Sequence, residues 1–433
     1  MYYFIITCVV WEGAVIRKQT SQRYKRLTDA LGITVITFAF IGLFSQIPVG
    51  LGFLNPIGNS ISSFDIYDLV FSKFRGIQPA DTNIVLVNIG RLDREGIGRQ
   101  LDIISRCSPS AVGLDILFIG KKEKREDSVL LGAVRGCRNL VLASRLGRYN
   151  SGKDTYEELI TSDLIGGEDL RYGFSNLPDE DEEGFRTVRR YRPFTHYREW
   201  PEYSFAFILA DKFSTIMADR LTERRSDKEI INFRGNLNSF YFIDTYDLFT
   251  GRYRPDIFKN KIVLMGFMGE DIRTQTFEDM YFTPLNEHYT GRSLPDMYGV
   301  VIHANIISMI LNGSYINIMP AWLSFMLSFT ACWLSVWVLL LIKSSYRDWF
   351  GAVFKLYLFT ISSITISLGI LLFNSFNYRI NLTLLVAALV LGPTCMDLYT
   401  ILTKWIHYHP GKIKNEKSVK IINISDADVK SGH

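Results

Sequence analysis

IVLVNI, at 84–89, is a short apolar run rich in β-branched residues, and its reading decides the fold. AVGLDILF (111–118), LVLAS (140–144) and IVLMGF (262–267) repeat its character. Near-continuous apolar runs of this length suit strands covered on both faces, whereas a strand with one wet face alternates. Residues 99–107 and 127–137, lying between such runs, read as crossover helices. The alternation predicts an α/β fold with a doubly wound, mostly parallel sheet. The middle of the block differs in character. GFSNLPDEDEEGFRTVRRYRPF (173–194) has two flanks rich in Arg and aromatic residues around an acidic, Gly-containing turn, which predicts an inserted β-hairpin. Residues 204–213 then read as helix, and IINFRG (230–235) as a return to strand.

Around this polar block the chain is asymmetric. Residues 30–64 contain no Asp, Glu, Lys or Arg, and 31–51 is apolar enough to cross a hydrocarbon layer of about 30 Å, which takes roughly 20 helical residues. Pro48 and Pro56 mark its exit. Residues 321–342, 356–376 and 380–396 are likewise free of charge, so four transmembrane helices are predicted, one N-terminal and three C-terminal. Arg17, Lys18, Arg23, Lys25 and Arg26 precede the first span, Lys343, Arg347 and Lys355 separate the second from the third, and Lys404, Lys412, Lys414, Lys417 and Lys420 follow the fourth. Positive flanks tend to stay in the cytoplasm, so both termini are expected inside and the polar block outside. The expected division is a basic segment at 1–30, a span at 31–52, an extracytoplasmic α/β domain at 53–320, three spans over 321–403 and a tail at 404–433. The opening MYYFIITCVVW has its apolar run before its basic residues, the reverse of a signal peptide. Its place in the mature chain is left open.

The chain of 433 residues is 48% hydrophobic and 14% aromatic, and its net charge of +4 is accounted for by the basic flanks of the spans. Nucleic-acid binding gains no support from that charge. The late spans hold no ionisable residue until Asp397 and Lys404, which argues against a pump or an intramembrane protease. Their Ser and Thr residues suit close helix packing or contact with a partner helix. Of the five cysteines, Cys107 and Cys137 fall in the outer block, each after an expected helix and before a strand. Parallel strands would bring them to one sheet edge, as a disulfide or as two buried thiols.

Chemical motifs are sparse. GRYNSGKD (147–154) fits phosphate-loop spacing until its last position, where Asp replaces the Ser or Thr that would hold magnesium, so a solvated loop is the better reading. Ligands of an open parallel sheet gather beyond the carboxyl ends of its strands, where Asn88, Asp115, Ser144, Arg145, Gly266 and Gly269 are expected. Asp115 stands out among branched residues, because a charge there needs a partner. Arg234 suits an anion clamp or a structural ion pair. The acidic run 179–183 reads as a solvated hairpin tip before a cation site, and His303 as a packed histidine. Neither a metal-site spacing nor a nucleophile elbow is present, and no cofactor is expected.

Five segments together carry a family resemblance: FDIYDLVFSKFRG (64–76), AVGLDILF (111–118), INFRG (231–235), FKNKIVLMG (258–266) and GVVIHANIISMIL (299–311). In this order they resemble the type-two CHASE domain, an extracytoplasmic sensor module of bacterial membrane receptors, over nearly all of 64–312. The one-plus-three arrangement of spans is similar too. Two positions depart from the family: the first strand ends Asn88, Ile89, Gly90 where paired acidic residues are usual, and Val301 stands at another usually acidic place. The resemblance implies a sensor of the bacterial inner membrane with its main domain in the periplasm. In better-known members an output domain follows the last span, whereas 404–433 is a short lysine-rich tail, so a standalone sensor is expected. It would take a small-molecule or envelope signal and act on a separate signalling or envelope-complex protein, with a homodimer left open. A structural or assembly subunit of an envelope complex is the rival expectation; an enzyme comes last.

Overall fold

The apolar runs build the centre of a sheet, and the computed structural model describes it within residues 2–45, 65–163, 170–177, 187–271, 276–286, 294–346 and 348–408. The principal elements begin with α1 (Tyr2–Ser45), β1 (Asp81–Asn88), α2 (Arg94–Ser105), β2 (Ala111–Leu114), α3 (Lys124–Gly136), β3 (Leu140–Asn150), β4 (Thr155–Ile160) and β5 (Arg171–Phe174). They continue through β6 (Arg190–Tyr191), β7 (Phe194–Tyr197), β8 (Trp200–Tyr203), α4 (Phe205–Phe213), α5 (Thr215–Glu223), β9 (Glu229–Ile230), β10 (Phe240–Ile243) and α6 (Thr245–Phe249). Then follow β11 (Ile262–Gly266), α7 (Gly299–Asn312), α8 (Ala321–Ser345), α9 (Phe350–Phe376) and α10 (Leu382–Tyr408). The chain divides into two units, one of Leu51–Asn317 with Phe373–Tyr378, the other of Met1–Gly50, Ile318–Leu372 and Arg379–His433.

In the first unit, β10, β1, β11, β2, β3 and β5 run parallel in that spatial order. Each of the four runs read as strands lies in this sheet, and the short edge strand β10 joins them. Alternate residues explain why both faces had to be apolar. Val85, Val87, Val112, Leu114, Leu142, Val263 and Met265 share a core with Ile97, Leu101 and Ile104 of α2 and Leu130 and Val134 of α3. The intervening residues meet α4 and α7, which contact β2, β3 and β5 and β1 and β11 respectively. Glycines permit the closest approaches there: a Cβ on Gly173 would stand 2.6 Å from the Phe205 Cα and 2.8 Å from its nitrogen. Because backbone cannot swing aside, Gly173→Ala is expected to cost about 1–3 kcal/mol, the usual range for overpacking. Denaturant titration of the full chain in detergent checks this, and an unchanged midpoint would contradict the packing.

Caps set the helix starts. Asp93 accepts the Gly96 N–H at 2.7 Å, which starts α2 five residues before the expected 99, and the Ser204 Oγ accepts the Phe207 N–H at 3.3 Å to open α4.

Two stretches depart from the sequence reading. GRYNSGKD, read as a solvated loop, is one only in its second half: β3 runs on through Asn150, and the exposed turn at 151–154 leads into β4, with Asn150 opposite Thr155. IINFRG leaves strand pairing after Ile230, because the side chain of Asn305 in α7, in place of a neighbouring strand, takes the backbone of Arg234 and Gly235. The turn of the expected hairpin at 173–194, including the acidic run 179–183, lies outside the described residues. Of its flanks, β5 pairs with β3 and β6 with β9, while the next pair of strands, β7 and β8, does form a hairpin.

In the second unit, residues Gln22–Ser45, Ala321–Ser345, Phe350–Phe376 and Leu382–Trp405 are long and apolar enough to cross a membrane, with mean hydropathies of 1.9, 2.2, 2.1 and 1.8. Ala30, Ile33, Cys332, Val336, Leu339, Ala388, Cys395 and Met396 form its core. Small residues bring the helices close: Gly392 faces the Cys332 sulfur and Gly32 the Tyr399 ring. Trp333 donates its indole N–H to the Leu27 carbonyl at 3.2 Å, closing α8 on α1.

Candidate functional site

The residues expected to form one site separate into two groups at opposite ends of β1. At the carboxyl end, Asn88 stands beside Gly266 in register and is fully buried. Its amide donates to Asp244 at 3.0 Å and to the Gly269 carbonyl at 3.1 Å, and its Oδ1 accepts the N–H groups of Gly90 and Met268, each at 3.0 Å. Gly269 takes a φ of +96°, the left-handed region that glycine tolerates, and so turns that carbonyl onto Asn88. Gly266 is bare for a packing reason, since a Cβ would meet the Val300 side chain at 2.8 Å. This part of the edge is saturated by the protein's own groups.

Asp115 follows β2 on the same edge, its N–H bonded to the Met265 carbonyl at 2.9 Å. Its carboxylate lies 4.0 Å from Nε2 of the buried His303, whose ring meets Phe205 edge-on at 5.5 Å. Ser144 lies in β3 with its carbonyl accepting the Ser175 N–H at 2.9 Å, and its buried hydroxyl has no hydrogen-bond partner among the described residues. Arg145, next in the strand, is exposed and stands opposite Ile160. Asp115 and Ser144 therefore share the edge with Asn88, while Arg145 turns outward.

Arg234 belongs to the other end, some 23 Å away at about 3.3 Å per residue along a strand that begins at Asp81 and ends at Asn88. Its Nε donates to Ser308 at 2.9 Å, its Nη1 to the Pro79 carbonyl at 2.8 Å, and its Nη2 stands 3.8 Å from Asp81. Ser308 in turn donates to Asp81 at 2.6 Å, and Asn312 to the same oxygen at 3.2 Å. Of these, Arg234, Ser308 and Asn312 border a polar cavity of about 390 Å³, with Arg75, Asn232 and Asn377 also on its wall. Sequence reasoning reached Arg234 and missed the rest. The missed residues Arg75, Asn232 and Ser308 all lie in segments that carried the family resemblance, and that was the available signal.

Charged groups elsewhere are mostly structural. Arg94 bonds Asp127 at 2.7 Å and the carbonyls of Ile119 and Gly120 at 2.9 Å each, holding the Asp127 carboxyl below the usual range. Cys107 and Cys137 carry free thiols. Burial pushes the Cys137 thiol up to about 11, the direction that disfavours the reactive thiolate.

Asp296 is the carboxyl most clearly perturbed. Burial raises it from 3.8 to about 6, against the opposing hydrogen bonds of Thr283 and Asn286. With the folded value above the unfolded one, the unfolded chain releases this proton first as pH rises. Stability therefore falls between about pH 4 and pH 6 and is level above that window. Asp296→Asn, which keeps an acceptor for the Thr283 N–H, is expected to raise the thermal midpoint at pH 7 and flatten this slope. Melting curves from pH 4 to 7 check it, and parallel profiles for the two proteins would refute the assignment.

A mostly parallel α/β domain, carried in sequence between one apolar helix and three more, defines a membrane-held protein with a single large polar domain. A family model for the CHASE2 domain matches residues 36–343, which runs from within the first apolar helix, through the α/β domain, to near the end of the second. The chain belongs to the CHASE2 domain family, a family of extracytoplasmic sensor domains. No curated protein and no solved structure matches it.

Proposed function

We propose that this chain is a non-catalytic sensor of the bacterial inner membrane. Its domain, wound with helices on both sides of the sheet, lies in the periplasm and receives a signal there, and both termini lie in the cytoplasm. The change passes through the membrane helices to a partner protein. The observation that carries the reading is α7. Residues Gly299 to Leu311 of this helix are all buried, it packs on β1 and β11, and it continues through Gly313 and a short link into α8. A buried helix cannot shift alone, so a ligand that favours one arrangement of the sheet also biases the segment that enters the membrane. Asp115, which is half-buried, and Ser144, whose buried hydroxyl has no partner among the described residues, are the ligand contacts favoured at that end.

The rival is a structural subunit of an envelope complex. Gentle solubilisation, followed by mass spectrometry of retained proteins and small molecules, separates the two. A retained small molecule whose removal alters hydrogen exchange at 313–320 supports sensing. A stoichiometric protein partner with no ligand-dependent change in that link overturns it. Cysteine accessibility in intact cells tests the orientation, which fails if 65–317 is labelled only after lysis.

A further inference from the structure

The cavity at the amino end of β1 has an unequal charge balance. Arg234 and Asp81 form one oppositely charged couple, completed by Ser308 and Asn312. Arg75 is different. Its Nη1 donates to the Asn232 side chain and, at 3.3 Å, to the Phe233 carbonyl, and its Nη2 donates to the Asn377 side chain at 3.1 Å. Its guanidinium lies over the Phe71 ring, 4.6 Å from the centroid. Every acceptor is neutral, and no carboxylate pairs with Arg75 among the described residues. Burial without a compensating charge pulls Arg75 down to about 10. A partly buried guanidinium that opens onto a polar cavity without a counter-charge is costly unless an anion completes it.

We propose that this cavity binds an oxyanion, a phosphate or carboxylate group, held by Arg75 with Asn232 and Asn377 beside it. Asn377 directly follows α9, one of the apolar helices, so the group has two natural sources: a soluble anion or a lipid headgroup. The role as signal rests on the sensor reading above; the binding itself does not.

The test uses the full chain in nanodiscs. One arm titrates inorganic phosphate in phosphatidylcholine discs, and the other exchanges phosphatidylcholine for phosphatidylglycerol without phosphate. The expected result is a saturable rise in thermal midpoint in one arm, which names the source, with affinity weakened about tenfold or more in Arg75→Gln through loss of a charged hydrogen bond. Should Arg75→Gln not fold, Asn377→Asp decides, because it places a carboxylate where Oδ1 now sits 3.1 Å from Arg75. That variant is expected to melt higher without ligand and to lose the anion response. No response in either arm, or one retained in Asn377→Asp or in folded Arg75→Gln, overturns the site. Anion binding with unchanged hydrogen exchange at 313–320 keeps the site and removes its signalling role. A change in exchange driven by a retained molecule, without anion binding at Arg75, does the reverse.

Discussion

Replacing Asn88 by alanine is expected to lower the unfolding free energy of the α/β unit by about 4 kcal/mol, since each buried group left without its partner costs roughly 1–3 kcal/mol. Four such groups depend on this side chain: the N–H groups of Gly90 and Met268, the Gly269 carbonyl and the Asp244 carboxylate. Asp244 also receives the Thr245 N–H at 2.9 Å as the cap of α6, so the loss loosens the ends of β1, β10 and β11 together. Labelling of the buried Cys137 thiol across a denaturant series gives the midpoint without relying on the membrane helices. A small shift, within about 0.5 kcal/mol, is what an ordinary surface substitution produces. That outcome would return Asn88 to the list of ligand contacts. Ser144→Ala is the matching control: its hydroxyl has no partner among the described residues, so stability should hardly change.

The contrast between Asn88 and Asp115 shows how far a sequence can be read. Strand identity was legible at 84–89, 111–118, 140–144 and 262–267, because a sheet covered on both faces writes itself as unbroken apolar runs. Lengths were less so. The run at 111–118 pairs only as far as Leu114, and that at 140–144 continues through polar Arg145 to Asn150, because β4 supplies a partner the sequence did not signal. Strand β10 was not named at all: four residues carry too little periodicity, and their pairing with β1 comes from distant sequence. The site was harder still. An asparagine at a strand's carboxyl end suits a ligand contact and a backbone clamp equally, and only Met268 and Gly269, 180 and 181 residues away, decide between them. Asn305 repeats the case. It lies in the helix segment that carries the family resemblance, and its side chain holds the backbone of the INFRG segment, so one quoted segment explains the shape of the other. Arg75 lies next to the end of the segment 64–76, yet its lack of a carboxylate partner among the described residues is a property of the folded surroundings alone.

Arg189→Ala is expected to cost about 3 kcal/mol at pH 7, the lower end for removing one partner of a buried ion pair. Its guanidinium grips Asp68 through two nitrogens, with Nη2 at 2.6 Å and Nε at 3.0 and 3.1 Å, and the Asp68 side chain is only 3% exposed. The pair fastens the short helical segment after residue 65, whose Tyr67, Val70 and Phe71 are buried, onto the backbone beside β6. Burial already raises the Asp68 carboxyl above 3.8 despite the opposing pull of Arg189, so removing the arginine raises it further. A carboxyl with a raised folded value destabilises the fold above that value and has no differential effect below the unfolded one. The deficit of Arg189→Ala relative to the parent should therefore be full at pH 7 and shrink as pH falls toward 4. Asp68→Asn added to Arg189→Ala should recover most of the loss at pH 7, because the stranded charge is then gone. A deficit that is the same at pH 7 and pH 4.5, and that Asp68→Asn leaves untouched, would mean that the arginine acts through packing of its stem. The segment would then be held by Tyr67, Val70 and Phe71 alone, and its attachment to the domain would carry no electrostatic component for a signal to use.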